Sequence, residues 1–179
     1  AKMAGLNPAD YADMDAIAAS STAMTAVASS QTAMAAIIGN ATALNAVVSS
    51  QTAMTAIIGN ATALNAVVSS QTAMTAIAAS STALSAIAAS TTALDAIYAK
   101  KKRMSGASAS LSGKFIILQI SNDNAFDTSR YGYATLSDGS KPNWDSYKDK
   151  YAYFKQYKKI ATYMKNDIDS NDWIDYFQC

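Results

Sequence analysis

Eight ten-residue blocks follow one another from residue 21 to residue 100 with no insertion or deletion: STAMTAVASS, QTAMAAIIGN, ATALNAVVSS, QTAMTAIIGN, ATALNAVVSS, QTAMTAIAAS, STALSAIAAS and TTALDAIYAK. DYADMDAIAAS before them is a degenerate first copy. A period held this strictly means that one structural unit repeats with fixed geometry. Position 2 is always Thr, and positions 3 and 6 are always Ala. Position 4 is Met or Leu (Met24, Met34, Leu44, Met54, Leu64, Met74, Leu84, Leu94) and position 7 is Val or Ile (Val27, Ile37, Val47, Ile57, Val67, Ile77, Ile87, Ile97).

Ala, Leu and Met favour helix, and positions 4 and 7, three apart, share a helix face. With a small or polar residue at position 10 or 1, the seam runs at spacings 3-4-3, about 3.33 residues per turn. That value predicts a tightly left-handed coiled coil. The sixteen residues named at positions 4 and 7 are its expected core, and Ser30, Asn40, Ser50, Asn60, Ser70 and Ser80, or Gln31, Gln51 and Gln71, its polar layers. A lone helix would expose the seam along its length, so the pattern demands a bundle, a rod of ~120 Å at ~1.5 Å per residue. Gly39 and Gly59 weaken it by ~1 kcal/mol each. The rival is a β-solenoid of ten residues per coil, favoured by Thr, Ile and Val. It is opposed by Ser29 and Ser49, which stand where a five-residue period would need a large residue.

Composition supports an elongated structure. Half of the residues are hydrophobic, but most of those are Ala; only 15% are charged, against a usual quarter. From Ala16 to Leu94 there is no charged side chain, so the outer face is Ser, Thr, Asn and Gln. No apolar run reaches the ~18 residues of a membrane span, and AKMAGLNPADYADMDAIAAS does not read as a signal peptide.

The S-x-T-A-[ML]-x-A-[IV]-x-x decads of residues 15–100 resemble those of fibre and tail-fibre proteins of tailed bacteriophages. The resemblance implies a homotrimer with a virion-bound N-terminus, a repetitive stalk and a C-terminal knob. The expected fold is therefore mostly α: an elongated parallel trimeric coiled coil with a small α+β C-terminal domain. Its expected segments are a virion-attachment segment 1–14, a stalk 15–104, a linker 105–110 and a knob 111–179. Leu6, Asn7, Pro8 and Tyr11 are the expected contacts with a capsid, collar or tail protein.

Lys100, Lys101, Lys102 and Arg103 read as cations closing a helix C-terminus. In the knob, LSGKFIILQIS and YGYATL read as strands, SDGSKPNW as a turn, and SYKDKYAYFKQYKKIATYMKND as a helix, with DWIDYF a short last one. His and Glu are absent and Cys179 is the only cysteine, which excludes Ser-His-Asp, Cys-His and zinc chemistry by inventory. Asp167, Asp169 and Asn171 have calcium-loop spacing, but Asp172 replaces the required Gly and Gln178 the final Glu. No cofactor or metal is expected. Tyr131, Tyr133, Trp144 and Trp173 are candidate receptor contacts, as flat rings that stack on a sugar, although large aromatics mainly supply buried area, here to a core and trimer interface. The function expected is that of a bacteriophage structural fibre attaching to a host glycan or protein, located in the virion after assembly in host cytoplasm, without catalysis or nucleic-acid binding. The alternatives are a non-viral surface adhesin and a Thr-faced β-solenoid that binds a surface.

Overall fold

The computed structural model describes residues 1–105, 109–121, 132–142, 149–166 and 172–179. The chain divides into two compact units, Ala1–Ala96 and Ile97–Cys179.

In the first unit each decad is its own short helix: α1 Met14–Ala19, α2 Ser21–Ala28, α3 Gln31–Ile38, α4 Ala41–Ser49, α5 Gln51–Ile58, α6 Ala61–Val68, α7 Gln71–Ala78 and α8 Ser81–Ala89. Thr91–Tyr98 forms α9, whose last two residues belong to the second unit. The breaks are made by position 10, which is always Ser or Asn up to residue 90. These residues are extended, with φ between −93° and −124° and ψ near 110°. Each side-chain oxygen accepts from the N–H of the Ala three residues on, at 2.9–3.2 Å. Each carbonyl accepts from the N–H of position 4, and each N–H donates to the carbonyl of the preceding position 7. One residue thus closes a helix and caps the next, and Ser and Asn are the side chains that do this best.

At such corners the axis turns by 104° between α3 and α4 and by 102° between α7 and α8. Three turns bring the chain nearly round, so each helix packs on the one three before it: α4 on α1, α5 on α2, α6 on α3, α7 on α4 and α8 on α5. The unit is an α-solenoid of thirty residues per coil. Two corner hydroxyls also tie coil to coil: Ser50 Oγ donates to the Ala18 carbonyl and Ser80 Oγ to that of Val48, both at 2.6 Å.

This overturns the coiled coil. All sixteen expected seam residues are buried, Met24 and Val27 through Leu94 and Ile97, but decad packs on decad within one chain, with no continuous helix to supercoil. The buried stripe is positions 3, 4, 7 and, in most decads, 8, as in Ala23, Met24, Val27 and Ala28. That is the i, i+1, i+4, i+5 face of an ordinary 3.6-residue helix. The ten-residue period is absorbed at the corner, where the helical phase restarts, and overwinding to 3.33 is not needed. Of the expected polar layers, the Ser and Asn residues at position 10 are the caps, and Gln31, Gln51 and Gln71 open the helices that follow them. Gly39 and Gly59 are no helix-interior burden, since they sit at helix ends with ordinary right-handed φ values of −79° and −72°. The β-solenoid fails too, because the repeats are helical.

Ahead of the decads lie two 3-10 turns, Lys2–Ala4 and Pro8–Asp10. The first packs against α2 and α3, and Ser30 Oγ donates to the Met3 carbonyl at 2.8 Å. Asn7 caps the second through Oδ1, 3.2 Å from the Ala9 N–H. Of the expected anchor, Leu6 and Tyr11 are half-buried, and Asn7 and Pro8 are exposed.

The described residues of the second unit form a five-stranded antiparallel sheet in the order β1-β5-β2-β4-β3. The strands are β1 Lys102–Ser105, β2 Ser110–Ser121, β3 Tyr133–Leu136, β4 Ala161–Lys165 and β5 Trp173–Gln178. One helix, α10 Ala152–Tyr157, packs on β2, and Tyr153 joins a core with Phe115, Ile117, Leu136, Met164 and Ile174. Gly113 lies where the β2–β4 register slips; a Cβ there would stand 2.7 Å from the ring of buried Phe115. The first two expected strands are present as β2 and β3, and Gly139 at φ 81° makes the turn after β3. The long helix expected at 146–167 is not: Lys158, at φ 52°, ends α10 and Ala161–Lys165 is a strand. The expected last helix is β5, whose Ile174 and Tyr176 point into the core while Trp-Ile and Tyr-Phe supply strand-favouring bulk. Lys100 and Lys101 do follow a helix end, but Lys102 and Arg103 open β1. Of the expected linker 105–110, Ser105 ends β1 and Ser110 opens β2, and 106–108 lie outside the described residues.

Candidate contact surface on the C-terminal sheet

The strongest assembly of polar and aromatic groups is built around Asp175. Antiparallel register places it opposite Arg103 on β1 and opposite Gln119 on β2. Its side chain is wholly buried while that of Arg103 is 46% exposed. The guanidinium grips it twice, Nε to Oδ1 at 2.6 Å and Nη2 to Oδ2 at 2.8 Å, the planar two-bond match that only Arg offers a carboxylate. The Tyr98 hydroxyl lies 3.0 Å from Asp175 Oδ2 and 3.2 Å from Gln119 Oε1. Arg103 also stacks on Trp173, 3.6 Å from the ring centroid, where Trp173 sits two residues from Asp175 on the same strand face. Hydrogen bonding to Asp175 raises the guanidinium pKa; burial first, then the bond to Asp175, raises that of the Tyr98 phenol.

The Tyr98 ring gathers cations in turn. Lys101 Nζ stands 4.3 Å and Lys150 Nζ 4.2 Å from its centroid. Tyr151 meets Tyr98 edge-on with centroids 5.8 Å apart, and Lys155 Nζ lies 5.9 Å from the Tyr151 centroid. Tyr151 is held with a left-handed backbone, φ 67°, a conformation uncommon for a bulky residue, and its N–H donates to the Leu118 carbonyl on β2.

The expected receptor contacts are not gathered there. Trp173 belongs to this cluster, but its ring is covered by Arg103. Tyr133 lies on β3 beside Tyr163, centroids 5.5 Å apart, with Lys141 Nζ at 4.6 Å. Two strands separate β3 from β5, so the two residues are about 14 Å apart at the usual strand spacing and form no common stacking surface. Tyr131 and Trp144 lie outside the described residues, as do Asp167, Asp169 and Asn171 of the calcium-like spacing. Reasoning from sequence missed Tyr98, Lys101, Lys150 and Asp175. A signal for Tyr98 was present: the last decad alone carries Tyr at position 8, and Lys100 in place of a capping Ser or Asn at position 10.

Cys179 is buried, and desolvation pushes its thiol up to about 12; it is a protonated, sheltered group, unsuited to attack a substrate. In the helical unit the concavities lie in grooves between stacked helices. One of about 410 Å³ is lined by Asp13, Asp15, Thr42, Asn45 and Ser49, and one of about 290 Å³ by Met3, Met14, Ile17, Val27 and Ile37 among others. The first gathers two carboxylates with hydroxyl and amide side chains, and the second is mostly apolar. No family model matches this chain, and no characterised protein matches it in sequence.

Proposed function

We propose that this chain is a structural attachment protein, of the bacteriophage-fibre kind that its decads resemble, in which the solenoid is a scaffold and the C-terminal unit makes the contact with a host surface. The observation that carries this reading is the division of chemistry along the chain. The repeats present Thr, Ser, Asn and Gln outward and no charge between Ala16 and Leu94. Thirteen of the fourteen Lys and Arg residues, against nine of the thirteen acids, lie in Ile97–Cys179, together with both Trp residues. A neutral hydroxyl surface has little to attract partners strongly, whereas clustered cations attract acidic surfaces and aromatic rings anchor interfaces.

The coiled coil had supplied the physical reason for a trimer, an apolar seam needing partner strands. That seam is filled within the chain, so a homotrimer has to rest on other surfaces. The test of the function is direct. Labelled full-length chain is applied to a panel of bacterial cells, and adsorption is measured with and without excess unlabelled chain. Saturable, competed adsorption to some strains is the expected result; its absence across the panel rejects the reading.

A further inference from the structure

Three lysines of the C-terminal unit converge on one aromatic pair. Lys101 and Lys150 each hold Nζ within 4.3 Å of the Tyr98 centroid, so the two ammonium groups lie within twice that distance of each other. Lys155 stands over Tyr151, which packs edge-on against Tyr98. Among the described residues the ion pairs are Arg103 with Asp175 and Lys159 with Asp138; none of the three lysines takes part in one. All three are exposed. Tyr98 itself is fixed, its hydroxyl within hydrogen-bond distance of the buried Asp175 and the half-buried Gln119.

We infer that the Lys101, Lys150 and Lys155 array on the Tyr98–Tyr151 pair is a binding surface for an acidic polysaccharide, recognised through closely spaced carboxylate or phosphate groups. The inference rests on the attachment reading and names its ligand class. Like charges kept close without carboxylate partners repel one another, and an anion relieves that repulsion. The rings hold the lysine stems in place through cation–π contact, which reduces the ordering entropy lost when an anion binds. Nucleic acid fits less well. Binding of single strands uses open ring faces on which bases stack, and here cations and ring edges already occupy Tyr98 and Tyr151. Duplex binding draws on many phosphate contacts, more than three lysines supply.

The test is binding of the full-length chain to immobilised polygalacturonate, a phosphorylated mannan, neutral dextran and duplex DNA. Binding to either acidic glycan, weakened by salt and weakened about tenfold or more in Lys101→Gln/Lys150→Gln/Lys155→Gln, is the expected result. Which glycan binds tells carboxylate from phosphate. A control, Lys114→Gln/Lys141→Gln/Lys165→Gln, removes equal charge elsewhere and should bind as the parent does; melting temperatures establish that both variants fold. Equal loss in the control, equal affinity for dextran, or tighter binding of DNA than of either glycan each overturns the inference. If the chain adsorbs to cells while neither acidic glycan binds it, this inference fails and the attachment reading stands. If it adsorbs to none, both fall.

Discussion

At the scale of single residues, burial decides which half of an ion pair matters. Asp175 is fully buried and Arg103 nearly half exposed. Losing the arginine strands a carboxylate away from water, whereas losing the aspartate leaves a cation that water can solvate. Removal of one partner of a buried pair costs ~3–5 kcal/mol, and only the arginine variant meets that condition. Arg103→Leu is therefore expected to destabilise the chain by ~3 kcal/mol or more and Asp175→Asn by clearly less, as read from urea midpoints; the reverse order would contradict this account of the cluster. Cys179 gives a pH prediction. Its pKa is raised from an ordinary 9.0 to about 12 by burial, so the folded state holds the proton more tightly than the unfolded chain. The sign follows from linkage: the contribution is complete below about pH 9 and is lost as pH climbs from 9 towards 12. Burial raises Tyr153 as well, which adds to the alkaline loss. Melting temperature should fall steeply above pH 9, and less steeply in Cys179→Ala.

At the scale of elements, the corner is the device that makes the fold. Ser50 Oγ accepts from the Ala53 N–H and donates to the Ala18 carbonyl, while Ser70 among the described residues caps Ala73 without such a rung. A lost cap costs ~1 kcal/mol, and a lost neutral hydrogen bond about another. Ser50→Ala is thus expected to destabilise by about 2 kcal/mol and Ser70→Ala by about 1, measured by denaturant unfolding; equal effects would remove the rung from the account. Much of the element pattern was legible in the sequence. The period and the burial of positions 4 and 7 followed from the recurrence of Met24, Val27 and their equivalents. The corner did not, because Ser or Asn every ten residues suits a polar layer in a bundle as well as it suits a helix cap. The sign of a cap was the restriction to those two residue types just ahead of a helix-favouring block. In the C-terminal unit, β2 read clearly as a strand because Phe115–Leu118 is a continuous apolar run. Ile160–Met164 did not, since aromatic residues at spacings of three and four imitate a helix until Lys158 stops it. Trp173 stands out in the sequence for its ring, but the partners that define its setting, Arg103 and Asp175, come together only through strand register.

At the scale of the whole molecule, one repeated corner converts a sequence that resembles a fibre stalk into a chain that packs on itself every thirty residues. Positions related by thirty residues then become neighbours, whereas in a continuous helix they stand far apart. Thr25 and Thr55 are equivalent, exposed sites on α2 and α5, which pack together. In a solenoid their backbones are separated by about the 8–10 Å of packed helices; in a continuous helix by ~45 Å, thirty residues at ~1.5 Å each. The decisive measurement is a pulsed-EPR distance between spin labels on Thr25→Cys/Thr55→Cys, in a Cys179→Ala background and diluted with unlabelled chain so that only intramolecular pairs are read. The solenoid predicts a single short distance, below about 25 Å once label length is added to the helix spacing. A distribution centred near 45 Å would contradict it and restore the extended helix.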